Sequence, residues 1–453
     1  MKKITILILI SSFFSAQAQE KGNLLIKNGT VLTVTKGTLE NTDVLIKDGK
    51  IDKIGKGISL PKGYTEIDAT GKFVMPGIID AHSHLALDVV NEGTRPVTAE
   101  VFTGDALDPL DVGIYRALAG GVTASHAMHG SANVIGGQCE TIKHRYGSVD
   151  ANNLVMAGAP RTIKFALGEN PTRTHGGNGL VPSTRMGVEF VIRESFSKAQ
   201  EYMAEWDVYN KAKTAKGFRG TPPAYDLRME TLADILKGNI IIHCHSYRAD
   251  EIYMLLKVCK DFGITRLVFQ HVNEGFKVAP ELAAAGAMAS VFADWWAYKF
   301  EVYYSTAYNA AILTKNGVTT SINSDDAELI RHLYHEAGKT QKYGGLSDEE
   351  ALALITINPA KQLGIDSRVG SLEVGKEADV AIFSAHPLSI YAVPMYTVVD
   401  GVVEFHREKD VDDQRIYVDP RQTVDVGTFY TKEQHDNCMD DALDMGMKLF
   451  ELN

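Results

Sequence analysis

Between residues 73 and 363, apolar runs of strand length alternate with good helix formers, which restricts the chain to folds built on a largely parallel sheet. The runs fall at residues 73–79, 122–126, 154–157, 161–165, 240–243, 267–271, 288–292 and 318–322. Helix-like segments such as 197–213, 250–261 and 348–357 lie between them. About eight such repeats predict a closed (β/α)8 barrel of the TIM type. An open doubly wound sheet is the alternative, but no Gly-x-Gly-x-x-Gly phosphate loop follows the first strand. With 453 residues, 45% hydrophobic and 23% charged, the chain can bury a core of that size and still build a smaller unit.

The smaller unit is expected from both ends of the chain. Residues 22–72 hold short alternating strands around Asn28-Gly29 and Asp48-Gly49, both hairpin signals. Residues 364–408 return to strand character around Asp400-Gly401. The simplest packing joins the two segments in a composite β-sandwich beside the 73–363 barrel. Residues 1–18 read as a Sec-type signal peptide, with Lys2 and Lys3, an apolar stretch at 4–14 and a small-x-small site at Ala16-Gln17-Ala18. That stretch is too short to span a bilayer, and no cysteine lies near the cleavage site, so a periplasmic or secreted protein without a membrane anchor is expected. Residues 409–453 form a charged tail with a helix expected over 432–451. A net charge of -11 argues against nucleic-acid or anionic-membrane partners. Cys139, Cys244, Cys259 and Cys438 show no framework spacing, and no essential disulfide is expected.

Barrel active sites lie at the C-terminal strand ends. His82 and His84 end the first run, just after the Pro76-Gly77 breaker, and alternate strand residues face one side, so both imidazoles can aim at one point. His243, His271 and Asp325 follow later runs in the same way. Nitrogen and oxygen donors of this kind suit zinc. A divalent ion there acidifies bound water and polarises a scissile carbonyl. Asp325 is then the catalytic acid/base, moving a proton from water to the leaving amine.

These residues resemble a known family. Pro76-Gly77-Ile78-Ile79-Asp80-Ala81-His82-Ser83-His84, the strand-end His243 and His271, and the Asp325 strand are similar to the amidohydrolase superfamily. Thr356-Ile357-Asn358-Pro359-Ala360-Lys361 and the stretch from Gly370 to Asp379 resemble its C-terminal signature. Within it the imidazolonepropionase-like and metal-dependent prolidase-like branch is the most similar, over residues 22–406. The resemblance implies the barrel with a composite sandwich. It also implies that Lys164, in Ile163-Lys164-Phe165-Ala166-Leu167-Gly168-Glu169-Asn170, is carboxylated and bridges two zinc ions. The alternative has an unmodified Lys164 binding a substrate carboxylate over one metal.

One departure bears on the reaction. Ser246 stands three residues after His243, where deaminases and true imidazolonepropionases carry a glutamate, and this favours an amide or peptide bond over ring deamination. His245 either supplies part of that proton shuttle or replaces His243 as the ligand. Substrate-binding candidates are His245, Arg173, His175, Tyr247, Arg248 and Trp295, an arginine as a carboxylate clamp and the tryptophan, with Trp296 and Tyr298, as an apolar wall. His126 and His129 are expected around the site rather than in it. The expected function is an exported metal-dependent amidohydrolase acting on a dipeptide or acyl-amino acid. A mononuclear cyclic-amide hydrolase or deaminase is the alternative. A metal-free binding protein would need missing ligands, and every expected position is filled. The expected partner is a small molecule, with homo-oligomerisation left open.

Overall fold

The computed structural model describes residues 21–296 and 298–408. The expectations for residues 1–18 and 409–453, Cys438 included, lie outside the described residues. Cys139, Cys244 and Cys259 are buried and free.

Five strands precede the barrel: β1 (Leu24–Leu32), β2 (Thr38–Lys47), β3 (Lys50–Gly55), β4 (Thr65–Asp68) and β5 (Phe73–Pro76). The barrel sheet follows in chain order: β6 (Ile78–Ser83), β7 (Val122–Ala127), β8 (Ile135–Lys143), β9 (Arg161–Ala166), β10 (Ile240–Ser246), β11 (Leu267–His271), β12 (Met288–Val291) and β13 (Thr320–Ile322). Neighbours pair in parallel, except that β8 runs antiparallel to both β7 and β9. Residues 154–157, expected as a strand, supply only a bridge from Val155 to Ile142. Leu154 is apolar because it packs with Ile142 and Leu118, which burial requires of a loop as much as of a strand. β8 itself carries Gly136-Gly137, where a Cβ would meet the His129 ring at 2.7 and 2.8 Å. The hydrogen-bonded path ends at β6 and β13. That seam is closed by Asp325 N–H donating to the His82 carbonyl (3.1 Å) and by the Ser324 N–H and hydroxyl donating to the Asp80 carboxylate.

Helices cover the outside. The longest, Arg185–Ala212, is N-capped by Thr184 and buries Val188, Val191, Ile192, Phe196 and Ala199 at helical spacing. Phe196 stacks on Phe165 of β9 at 6.0 Å, and burying such a ring contributes about 1.5–3 kcal/mol.

β14 (Val380–Phe383), β15 (Pro394–Val399) and β16 (Val402–His406) complete the chain's described strands. They join β1–β5 in one eight-stranded sheet, because β14 pairs with β5 and β1 pairs with β2, β4 and β5. The expected sandwich of two facing sheets is thus one connected sheet. Asp48-Gly49 and Asp400-Gly401 form left-handed turns (φ 49° and 74°; 50° and 79°) between paired strands. Asn28-Gly29 does not: β1 runs through it as a bulge, with Asn28 at φ 59° and a Gly29 Cβ blocked by Val74 at 2.7 Å.

A buried ion cluster ties this sheet to the barrel. Lys143 Nζ of β8 lies 2.6 Å from Glu377, 3.0 Å from Asp379 and 2.8 Å from Asp400. Arg145 binds the other Asp400 oxygen at 2.6 Å and Lys21 adds a contact at 2.8 Å.

Candidate metal centre

His82 lies in β6 and His84 just past its end, so the two rings turn to one side. Across the seam, Asp325 follows β13. Its Oδ1 is 3.2 Å from His82 Nε2 and 3.2 Å from His84 Nε2, and its Oδ2 is 3.8 Å from His271 Nε2. Lys164 of β9 brings Nζ to 3.2 Å from His82 Nε2. All of these sit at C-terminal ends of parallel strands, and all but His84 are nearly inaccessible to solvent.

The bonds behind the rings decide which atoms face the centre. His82 Nδ1 donates to Gln270 Oε1 (3.2 Å) and His84 Nδ1 to the Met128 carbonyl (2.8 Å). A neutral imidazole bonded in this way carries its lone pair on Nε2. In that form two ring nitrogens converge on one carboxylate oxygen, with Lys164 Nζ 3.2 Å from His82 Nε2. Acceptors held this close repel unless a cation stands among them. Ligands on a tetrahedral zinc with bonds of 2.0–2.1 Å are separated by about 3.3 Å, so the donor set fits a divalent metal.

Protonation agrees with that use. Burial holds the His82 ring well below its ordinary pKa, with Lys164 and His271 adding to the effect. Burial likewise lowers His271 to about 3. The His82 and His271 rings are held in the neutral form, the form that binds metal. Burial pushes the Asp325 carboxyl upward, but the His84 hydrogen bond and the potential of His271, His84 and Lys164 outweigh it and leave the carboxyl below its ordinary value. Asp80, behind the seam, is raised to about 7 by burial, against the bonds from Ser324 and the His82 N–H.

Two candidate ligands stand on strained backbone. His271 has φ 68° and Asp325 φ 47°, each costing on the order of 1–3 kcal/mol for a non-glycine residue. Such positions cluster at functional sites, and no sequence signal announces them.

Gln270 also separates two histidine layers. Its Nε2 donates to His243 Nδ1 (2.9 Å), which leaves the His243 proton on Nε2, and the His243 ring packs on His126 at 4.5 Å. Pairing sets His243 opposite Lys164 and Val268, and His245 opposite Gln270, one layer nearer the mouth. The His245 ring lies 4.6 Å from His271. The structure brings His82, His84, Lys164, His271 and Asp325 together with His245 beside them. His243, expected as a ligand, sits in the layer below.

The substrate candidates divide. Arg173 pairs with Glu169 (3.3 Å) and Arg248 with Asp250 (2.9 Å), each with a partly solvent-facing side chain. His175 is buried near the end of helix Glu169–Gly176, its Nε2 without a hydrogen-bond partner. Tyr247 stacks on His271 (5.1 Å), and Trp295 stacks on Phe292 (4.3 Å), which itself stacks on His271 (5.0 Å). His126 bonds Thr162 (2.7 Å) and His129 bonds the Gly130 carbonyl (3.0 Å), so both are held by the surrounding structure. Asp80, Gln270 and Phe292 were not singled out from sequence, although Asp80 and Gln270 flank candidate ligands closely enough to have been suspected. Buried Lys299, whose Nζ lies 4.4 Å from the Tyr247 ring, gave no signal, since it stands in an irregular loop.

Comparison with known proteins agrees with this geometry. The amidohydrolase family profile matches residues 73–405. Amidohydrolase tasK of Hapsidospora irregularis is 31% identical over 392 residues, 80% of this chain, and the chain spans only 40% of its length. A 5-methylthioadenosine/S-adenosylhomocysteine deaminase of Symbiobacterium thermophilum is 22% identical, with 84% of this chain and 91% of the deaminase aligned. The crystal structure of an amidohydrolase from Thermotoga maritima MSB8 superposes with a TM-score of 0.78 at 36% identity, covering 85% of this chain and all of that one. The chain belongs to the amidohydrolase family, metal-dependent hydrolases acting on carbon–nitrogen bonds.

Proposed function

We propose that the chain cleaves an amide or peptide bond in a small substrate, of dipeptide or acyl-amino-acid type, at a zinc centre held by His82, His84, His271 and Asp325. The observation that carries the proposal is the convergence of His82 Nε2 and His84 Nε2 on Asp325 Oδ1, each at 3.2 Å. A carboxylated Lys164 and His245 would complete a second metal position beside His271. His245 is preferred to His243 because it shares the His271 layer, whereas the Gln270 bond turns His243 Nδ1 away. The bound metal would supply an acidified water and an electrophile for the scissile carbonyl.

The remaining work falls to the protein. Asp325 takes a proton from the attacking water and delivers it to the leaving amine. Asp80 and Ser324 hold the seam from which Asp325 projects. Trp295 and Tyr298, with Phe292 stacked behind Trp295, form an aromatic wall that excludes water and suits an apolar substrate group. The basic, apolar and small-residue order of residues 1–18 supports a periplasmic or secreted location. A second reading, hydrolysis of a ring carbon–nitrogen bond at one metal, draws on the deaminase relative.

Metal content per chain, measured on protein purified without chelator and on Lys164→Ala, tests the proposal. Two metals falling to one or none in the variant support the lysine-bridged centre and direct the assays to dipeptide and acyl-amino-acid libraries. One metal, unchanged in the variant, moves the reading to the mononuclear ring hydrolase. No metal in the wild type refutes both.

A further inference from the structure

His271 is held differently from the other candidate ligands. His82 is anchored through Gln270 and His84 through the Met128 carbonyl. A metal-binding histidine normally gives its second ring nitrogen to such a partner, which fixes the tautomer and the ring orientation. Both ring nitrogens of His271 are buried with no hydrogen-bond partner. Its backbone is fixed by pairing with Ser246 of β10 and Val291 of β12, which leaves the ring angle open. β11 ends in a γ-turn at this residue, with φ 68° and the Val272 N–H bonded to the Gln270 carbonyl at 2.9 Å.

Apart from Asp325 Oδ2 at 3.8 Å from Nε2 and the tilted His82 ring at 4.8 Å, what holds the ring is aromatic. Tyr247 lies 5.1 Å away at 18° and Phe292 5.0 Å away at 23°, both near-parallel stacks, and His245 meets it edge-on at 4.6 Å and 77°. The two stacking rings are themselves fixed. Tyr247 carries the buried Lys299 ammonium at 4.4 Å, and its carbonyl accepts the Glu274 N–H at 2.9 Å. Phe292 carries Trp295 at 4.3 Å and 11°. An imidazole free to turn about its terminal torsion has a broad, shallow preference, so packing decides its angle where hydrogen bonds do not.

We infer that Tyr247 and Phe292 are positioning residues for His271, replacing with ring stacking the outer hydrogen bond that its neighbours use. The inference rests on the metal-centre reading above. It also takes Tyr247 out of direct substrate contact, since its face is used on His271.

The test measures zinc affinity by chelator competition on wild type, Tyr247→Leu, Phe292→Leu, Tyr247→Phe and His271→Ala. The absorption of the cobalt-substituted protein serves as a second readout, and melting of the metal-free protein controls for folding. The expected result is about tenfold weaker zinc binding in each leucine variant, within the range for lost outer-shell partners. Altered cobalt bands should accompany it, with near-wild-type behaviour in Tyr247→Phe, which keeps the ring. Leucine variants that bind zinc within twofold of wild type while His271→Ala is impaired would overturn the inference and leave the metal reading standing. Unchanged binding in His271→Ala would instead remove His271 from the ligand set, and the inference with it. Equal losses in Tyr247→Phe and Tyr247→Leu would also count against stacking as the cause.

Discussion

Two groups of buried charged or ionisable residues lie at opposite ends of the same logic. Around Lys143, each charged side chain has an opposite charge within 3.0 Å, and Asp400 is held by Lys143, Arg145 and Lys21 together. Burial alone would lower the Lys143 pKa, but Asp379, Asp400 and Glu377 outweigh it and raise it. Around Asp325 the groups do not complete one another: His82 and His84 converge on one carboxylate oxygen, both nitrogens of His271 lack a hydrogen bond, and the backbone is strained at two positions. A cluster whose charges are paired is an internal fastening, here between β8 and the terminal sheet. A group of convergent donors and acceptors left incomplete at the strand ends is shaped for something the chain does not contain.

Substitution should separate the two kinds. Asp325→Asn is expected to cut hydrolysis by about 10²–10⁴-fold, the range for loss of a positioned acid/base, while melting of the metal-free protein stays near wild type. A parallel loss of fold would erase the distinction. Lys143→Met is expected to do the reverse, destabilising the protein by about 3–5 kcal/mol in chemical denaturation because it strands buried carboxylates. Metal content per folded chain should not change.

Glu251 stands between these extremes, paired only with Arg185 at 3.3 Å and raised by burial from 4.5 to about 7. Its folded pKa exceeds the unfolded value, so the folded state holds the proton more tightly and stability falls as pH rises from 4.5 to about 7. Relative to Glu251→Gln, the wild type should lose up to about 3 kcal/mol across that window, read as a widening gap in denaturation midpoints. A gap independent of pH would show that the carboxylate is fully compensated. The smallest effect belongs to Arg248→Ala. An exposed pair with Asp250 contributes about 0–1 kcal/mol, and KM should shift less than about threefold. A large rise in KM would restore Arg248 as a carboxylate clamp.

What could be read in advance follows from what side-chain pattern encodes. Burial and alternation are written in residue type, so the His82–His84 pair, His271 and Asp325 were legible at the ends of their apolar runs. Strand direction is not written there, and β8 escaped notice because its glycines serve close packing on His129. Leu154 imitated a strand for the same reason, being apolar on account of its neighbours. Asp48-Gly49 and Asn28-Gly29 look alike as dipeptides, and only the second is overruled by Val74 across the sheet. His243 and His245 share one face of β10, so spacing cannot choose between them. Their depth depends on the register with Gln270, a long-range fact.

The seam between β6 and β13 has one more consequence. Its fasteners, Asp325 to His82 and Ser324 to Asp80, join residues more than two hundred positions apart in the chain. During synthesis from the N-terminus, His82 and His84 emerge early, and their counterpart Asp325 emerges only after all eight barrel strands. The hydrolytic centre is therefore the last part of the barrel to come into being. A chain that stops before β13 carries the histidines without the carboxylate.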